Sequence, residues 1–172
     1  MVHTADGSGQ RNIILINGQF RGPTLQVMEG AEVALKVVNE LVKEGITIHW
    51  HGIHLRNNVW MDGVPYVTQC SILPRQSFTY RFIAHPPGTH WYHSHNELQR
   101  LDGLFGALIV RRSKEKGMPV PPHFPMVIND WFPLSSTEID LLSPYRNSRG
   151  GNAQSIFSLL IIKVLPSTFP AT

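Results

Sequence analysis

Four of the nine histidines fall into two His-x-His pairs, His49-Trp50-His51 and His93-Ser94-His95. In an extended strand residues i and i+2 project from the same face, about 6.5–7 Å apart along the chain. Each pair therefore aims two imidazoles in one direction. If the two segments lie side by side, all four rings converge on one small volume. Neutral imidazole nitrogen is a good ligand for copper or zinc, and a site carried on strands is stiff. One such pair arises readily by chance; two, each close to a tryptophan and a glycine, point to a metal site. No cysteine or methionine accompanies them, so a blue-copper electron-transfer centre, which needs a thiolate, does not fit. Copper of another kind and redox-inert zinc both stay open on residue type alone.

The remaining histidines carry less. His90 has the opposite strand parity to Trp91, His93 and His95, which makes it a packing or surface residue. His54 follows Gly52 and is off the face of His49 and His51, while His3, His85 and His123 lie in turn or linker contexts where a solvated side chain is the default.

Elements able to hold such pairs are legible as strands. Short stretches of period-two alternation, separated by Gly, Pro and Asn, recur to about Arg112 and predict an all-β sandwich or barrel. Residues 11–16 make one expected strand, closed by Asn17-Gly18, and Gly22-Pro23 marks the next turn. Residues 32–38 set Val33, Leu35 and Val37 inward; residues 77–82 do the same with Phe78, Tyr80 and Phe82. Residues 103–110 are more continuously apolar, with two glycines where close backbone contact is expected. Helical periodicity is scarce. Beyond Arg112 the chain turns basic and then proline-rich. The expected organisation is a first domain over residues 1–112, a linker over 113–123 and an incomplete second-domain start over 124–172, with 123–131 as its first strand and an irregular tail.

Composition agrees with a folded core: 42% of the 172 residues are hydrophobic and 16% charged. The net charge is +3, but Lys and Arg are scattered, a solvated surface rather than a nucleic-acid footprint. Residues 156–165 are apolar except for Ser158 and Lys163, only about half the length needed to span a bilayer, so no transmembrane segment is expected. The first residues lack the basic start and apolar stretch of a secretory signal. The single cysteine, Cys70, allows neither an internal disulfide nor a cysteine-based zinc cluster.

Longer motifs carry a family resemblance. Thr47-Ile48-His49-Trp50-His51-Gly52-Ile53, then Met61-Asp62-Gly63-Val64-Pro65 and Thr68-Gln69-Cys70, resemble the amino-terminal copper-binding region of laccases and ascorbate oxidases, which are multicopper oxidases. The likeness continues through Pro87-Gly88-Thr89-His90-Trp91-Tyr92-His93-Ser94-His95 and Asp102-Gly103-Leu104-Phe105-Gly106-Ala107-Leu108-Ile109-Val110. Upstream it includes Ile16-Asn17-Gly18-Gln19-Phe20-Arg21-Gly22-Pro23-Thr24. In order along the chain, it runs from about Arg11 to Trp131. The resemblance implies a cupredoxin fold, a Greek-key β-sandwich, as the first of three such domains. It implies that His49 binds a type 2 copper and that His51, His93 and His95 bind a coupled type 3 pair, half the ligands of a trinuclear cluster. Asp62 would assist proton delivery from behind the ligands, although Asp62-Gly63 also reads as an ordinary turn. Trp91 would pack beside the cluster, as a plain core aromatic also would.

Such an enzyme takes electrons singly from a phenolic, ascorbate-like or metal-ion donor and passes them to dioxygen, yielding water. Relatives are usually secreted or displayed at the cell surface. The family's His-Cys-His strand does not occur here, and Cys70 resembles a cysteine that pairs with the carboxy-terminal domain in relatives. A truncated chain lacking the second and third cupredoxin domains is therefore expected, either as part of an oxidase or as a non-catalytic copper-binding module. A cupin-type metalloenzyme fits less well, because no glutamate follows His51 between Gly52 and Asn58.

Overall fold

The alternating stretches fold as strands in a computed structural model that describes residues 2–3, 10–112, 125–131, 134–147 and 158–159. A short pair, β1 (Val2–His3) with β2 (Gln10–Arg11), precedes the main sheets. These are built from β3 (Leu25–Met28), β4 (Glu32–Val38), β5 (Ile48–His51), β6 (Ser77–Ile83), β7 (Gly88–Ser94) and β8 (Phe105–Arg111). One sheet has the order β3-β8-β7-β5, parallel between β3 and β8 and antiparallel elsewhere. The other is the antiparallel pair β4-β6, in register from Glu32↔Ile83 to Val38↔Ser77. β9 (Asp130–Trp131) pairs with β10 (Ser158–Leu159).

Between the two layers lie the residues that alternation points inward: Val33 from β4, Tyr80 and Phe82 from β6, Ile48 and Trp50 from β5, Tyr92 from β7 and Leu108 and Val110 from β8. Trp50 is the centre, with ring centroids 5.3 Å from Tyr80, 5.1 Å from Phe82 and 5.8 Å from Tyr92. Burying an aromatic of this size removes some 150–250 Å² from water, roughly 4–6 kcal/mol of transfer free energy for each ring. Because Trp50 and Tyr92 are opposite one another in the β5–β7 ladder, the same pleat that seats them in the core turns their neighbours, the histidines, to the other face. The expected close contact on β8 is at Gly106, which faces Tyr92 in register; a Cβ there would lie 2.3 Å from the Tyr92 hydroxyl.

Three expectations are corrected. The strand expected over 11–16 is confined to Gln10–Arg11, because Ile14 donates its amide to the Asp102 carbonyl at 2.8 Å instead of joining a ladder. Asn17 and Gly18, at φ 53° and 72°, then close a tight turn bridging Ile16 and Gln19. Of the strand expected over 123–131, residues 125–129 are irregular and only Asp130–Trp131 is extended in a pair.

The third correction is a helix, α1 (Ser136–Asn147), in a stretch expected to be irregular. Its start is a capping box: Ser135 donates its amide and hydroxyl to the Glu138 carboxylate at 2.8 and 2.7 Å. The helix is moored to the sandwich by a buried cluster. Asp102 accepts from Arg11 at 3.0 Å and from the Ser136 amide at 2.9 Å, and the Ser136 hydroxyl donates to its second oxygen. The linker expected over 113–123 and nearly all of the tail lie outside the described residues, and no helix among those described is long and apolar enough to cross a membrane.

Candidate metal centre

The β5–β7 register puts His49 directly opposite His93 and His51 opposite Trp91, while Trp50 and Tyr92 turn into the core. His95 lies one residue beyond the end of β7, held by its amide on the Thr47 carbonyl at 3.2 Å. The rings consequently gather on one face. The His49 centroid is 5.2 Å from His51, 5.3 Å from His93 and 5.7 Å from His95; His51 is 5.6 Å from His93, and His93 is 6.1 Å from His95. Among the described residues, His49, His51 and His93 bring their donor nitrogens within 4.8 Å of one another; His95 stands beside that triplet rather than within it.

The hydrogen bonds decide which nitrogens are free. His49 Nδ1 meets the Asp62 carbonyl at 2.8 Å, and His93 Nδ1 meets the Ser94 carbonyl at 2.8 Å. A carbonyl only accepts, so both Nδ1 atoms carry the proton and both Nε2 lone pairs are left for a ligand. The Asp62 carboxylate also lies 3.3 Å from His49 Nδ1. Asp62 thus touches a candidate ligand rather than the pocket between the rings.

His51 approaches the pocket through its other nitrogen, with Nδ1 3.4 Å from His93 Nε2. Two imidazole nitrogens at about 2.0–2.1 Å from one tetrahedral ion stand about 3.3–3.4 Å apart, so the spacing suits a single shared ion. The donor set, imidazoles without thiolate, fits copper or zinc.

Desolvation disfavours the protonated form of two of the rings, His93 and His51. Only 2% of His93 is exposed, and its pKa is pushed down to about 4, chiefly by desolvation, against the raising effect of its bond to Ser94 and with smaller help from neighbouring His49, His51 and Arg100. His51 is lowered for the same leading reason. Neutral imidazole is the metal-binding form, so neither ring needs to lose a proton near pH 7. Trp91 covers the pair, 4.1 Å from His93 and 5.1 Å from His51.

Of the other histidines, His90 is turned away and bonded to the Pro86 carbonyl at 2.9 Å, as strand parity predicts. His54 and His85 meet edge to face at 5.4 Å, and His85 also lies 3.3 Å from the Glu29 carboxylate. Cys70 is exposed. His3 has no described side chain and His123 lies outside the described residues.

Two supports escaped the sequence reading. Tyr80, fully buried on the opposite sheet, accepts from the Ile48 amide at 2.9 Å and so caps the free edge of β5. Gly63, at φ +77°, packs so closely against β5 that a Cβ would lie 2.0 Å from the Ile48 carbonyl oxygen. Asp-Gly is a visible turn signal; what the turn touches is not.

The sequence model of the multicopper oxidase family matches residues 1–115. The chain is 42% identical over 149 residues to an L-ascorbate oxidase of Brassica rapa subsp. pekinensis, covering 84% of this chain and 26% of that one. It is 46% identical over 106 residues to laccase 1 of Metarhizium acridum, covering 62% and 17%. Among solved structures it resembles the laccase of Botrytis aclada, with a TM-score of 0.64 and 38% identity over 74% of this chain and 23% of that one. The sandwich is therefore cupredoxin-like. The chain spans about a quarter or less of the length of these relatives.

Proposed function

This chain belongs to the multicopper oxidase family, and on that premise we propose that it forms the first domain of an oxidoreductase and supplies half of a trinuclear copper centre. The enzyme so completed would couple one-electron oxidation of a phenolic, ascorbate-like or metal-ion donor to reduction of dioxygen to water. The observation that carries this is the convergence of four imidazoles from β5 and the end of β7, with two Nδ1 protons tied to carbonyls and the opposite lone pairs turned to a common pocket.

His49 would hold the type 2 copper, and His51, His93 and His95 the type 3 pair. Bound copper would supply the one-electron chemistry that side chains lack. The chain's own residues orient and protect. The Asp62 carbonyl fixes the His49 tautomer, and its partly exposed carboxylate would relay protons from solvent toward the pocket. Trp91 keeps water off one side of His51 and His93. Donor oxidation and the remaining ligands would come from the second and third cupredoxin domains, beyond the quarter of the family length present here. An extracellular or cell-surface setting, as in secreted oxidases, goes with this function.

A second reading, a copper-binding module without catalysis, is favoured by one observation: His49, His51 and His93 form a triplet that could hold a single ion, with His95 outside it. Dioxygen uptake with a phenol, ascorbate or ferrous iron, measured on the copper-loaded chain joined to the second and third cupredoxin domains of a relative, separates the two. Copper binding without uptake in that assembly supports the module, and uptake supports the oxidase. Replacing both His51 and His93 by alanine should abolish tight copper binding with little loss of folding, and full stoichiometry in that variant would refute the site.

A further inference from the structure

On the face of the strands opposite the histidines, one buried side chain touches both segments that carry them. Gln99 is 3% exposed and lies in the short 3-10 turn Gln99–Asp102. Its Oε1 accepts from the Ser94 hydroxyl at 2.6 Å, and Ser94, 1% exposed, is the residue between His93 and His95. Its Nε2 donates to the Gly45 carbonyl at 3.0 Å and to the Glu44 carboxylate at 3.0 Å, on the segment that runs into β5 four residues before His49. The Ser94 hydroxyl in turn accepts from the Asn96 amide at 3.1 Å. Each amide group of Gln99 is thus used, in a region of low dielectric where a satisfied network is stiff and a broken one costly.

We propose that Gln99 is a positioning residue for the histidine half-site, a brace that fixes the spacing between the His49/His51 segment and the His93/His95 segment. The proposal rests on the copper reading above for its consequence, but its geometry does not depend on a metal. Beyond Ser94 the ladder ends: His95 is outside β7, with its amide on the Thr47 carbonyl at 3.2 Å. The Ser94–Gln99 bond immobilises the strand end at the point where two candidate ligands straddle it. The outer partners of metal ligands commonly control affinity as strongly as this by setting ring orientation.

The test uses the full chain with Gln99→Met, which keeps length and removes every hydrogen bond, and Ser94→Ala, which cuts the same brace by deleting one oxygen and serves if Gln99→Met does not fold. Val33→Ala, a core truncation on β4, is the control for general destabilisation. In the metal-free chain, imidazole nitrogen NMR should show one tautomer and one set of resonances for His93 and His95 in the wild type and in Val33→Ala, and broadened or multiple sets in the brace variants. Copper titration against a competing chelator should show affinity reduced by about 10- to 100-fold in the brace variants and by much less in Val33→Ala at an equal loss of Tm. Unchanged ring resonances, or equal affinity losses in all three variants, would overturn the brace. A wild type that binds no copper would sink the metal reading instead, and the metal-free NMR would still decide whether Gln99 orders the rings.

Discussion

Gly63 offers the sharpest test of how the metal face is held. It is buried with φ +77°, and a Cβ would lie 2.0 Å from the Ile48 carbonyl oxygen, 2.4 Å from that carbonyl carbon and 2.9 Å from the His49 amide nitrogen. All three are backbone atoms of β5, so no side chain can swing aside. The shortest approach is roughly 1 Å or more inside van der Waals contact. Gly63→Ala therefore combines a left-handed conformational cost of about 1–2 kcal/mol with an overpacking cost of about 1–3 kcal/mol, together roughly 2–5 kcal/mol. At about 2–4 °C per kcal/mol for a chain of this size, Tm should fall by roughly 4–20 °C. Gly18→Ala is the internal control: its φ is +72°, but nothing lies within 4 Å of the added Cβ, so only the conformational cost of about 1–2 kcal/mol applies. Since Gly63 adjoins the Asp62 carbonyl that orients His49, copper affinity should fall in Gly63→Ala and hold in Gly18→Ala. Thermal unfolding and copper titration of the two variants measure both effects. Equal Tm losses would refute the clash, and undiminished copper binding in Gly63→Ala would refute its link to His49.

His93 sets a pH dependence for the copper-free chain. Its folded pKa of about 4 is below the ordinary value of 6.5, so between those values the unfolded chain binds more protons. The resulting stability is complete above about pH 6.5 and is lost as pH falls toward 4, by at most about 3 kcal/mol. Urea unfolding at pH 7.5 and 4.5 should show that loss in the wild type and a smaller one in His93→Gln; identical slopes would be contrary. Tyr80→Phe removes the acceptor for the Ile48 amide and should cost about 1–3 kcal/mol, read from denaturant midpoints. Burial raises the Tyr80 pKa to about 12, so the phenol should stay protonated to strongly alkaline pH, as an absorbance titration near 295 nm would show. Asp102→Ala breaks a buried pair with Arg11 and frees Ser136. A loss of about 3–5 kcal/mol is expected, with proteolytic cutting near residues 134–147 appearing before the sandwich itself is cut; uniform protection would count against the mooring.

Period-two alternation in residues 32–38 and 77–82 was enough to identify β4 and, to within one residue, β6, because a half-buried strand must expose every second side chain. The same parity put His49 with His51, and His93 with His95, and excluded His90. Alternation failed where the backbone found partners outside a ladder. Ile14 bonds to the Asp102 carbonyl, and the polar run after Trp131 becomes α1 through a local capping box, Ser135 to Glu138, a signal present in the sequence but masked by the absence of an apolar stripe.

Residue type and spacing by themselves determined the class of fold, the four histidines and the family they resemble, since each of those depends only on neighbours one or two positions away or on motifs read in order. Tertiary structure alone decided that His49 stands opposite His93, that His51 meets His93 through Nδ1, and that Asp62, Tyr80, Gly63 and Gln99 hold the strands beneath them. Those are contacts between residues far apart in the chain. Their distances are set by strand register and by packing across two sheets, which no local pattern encodes.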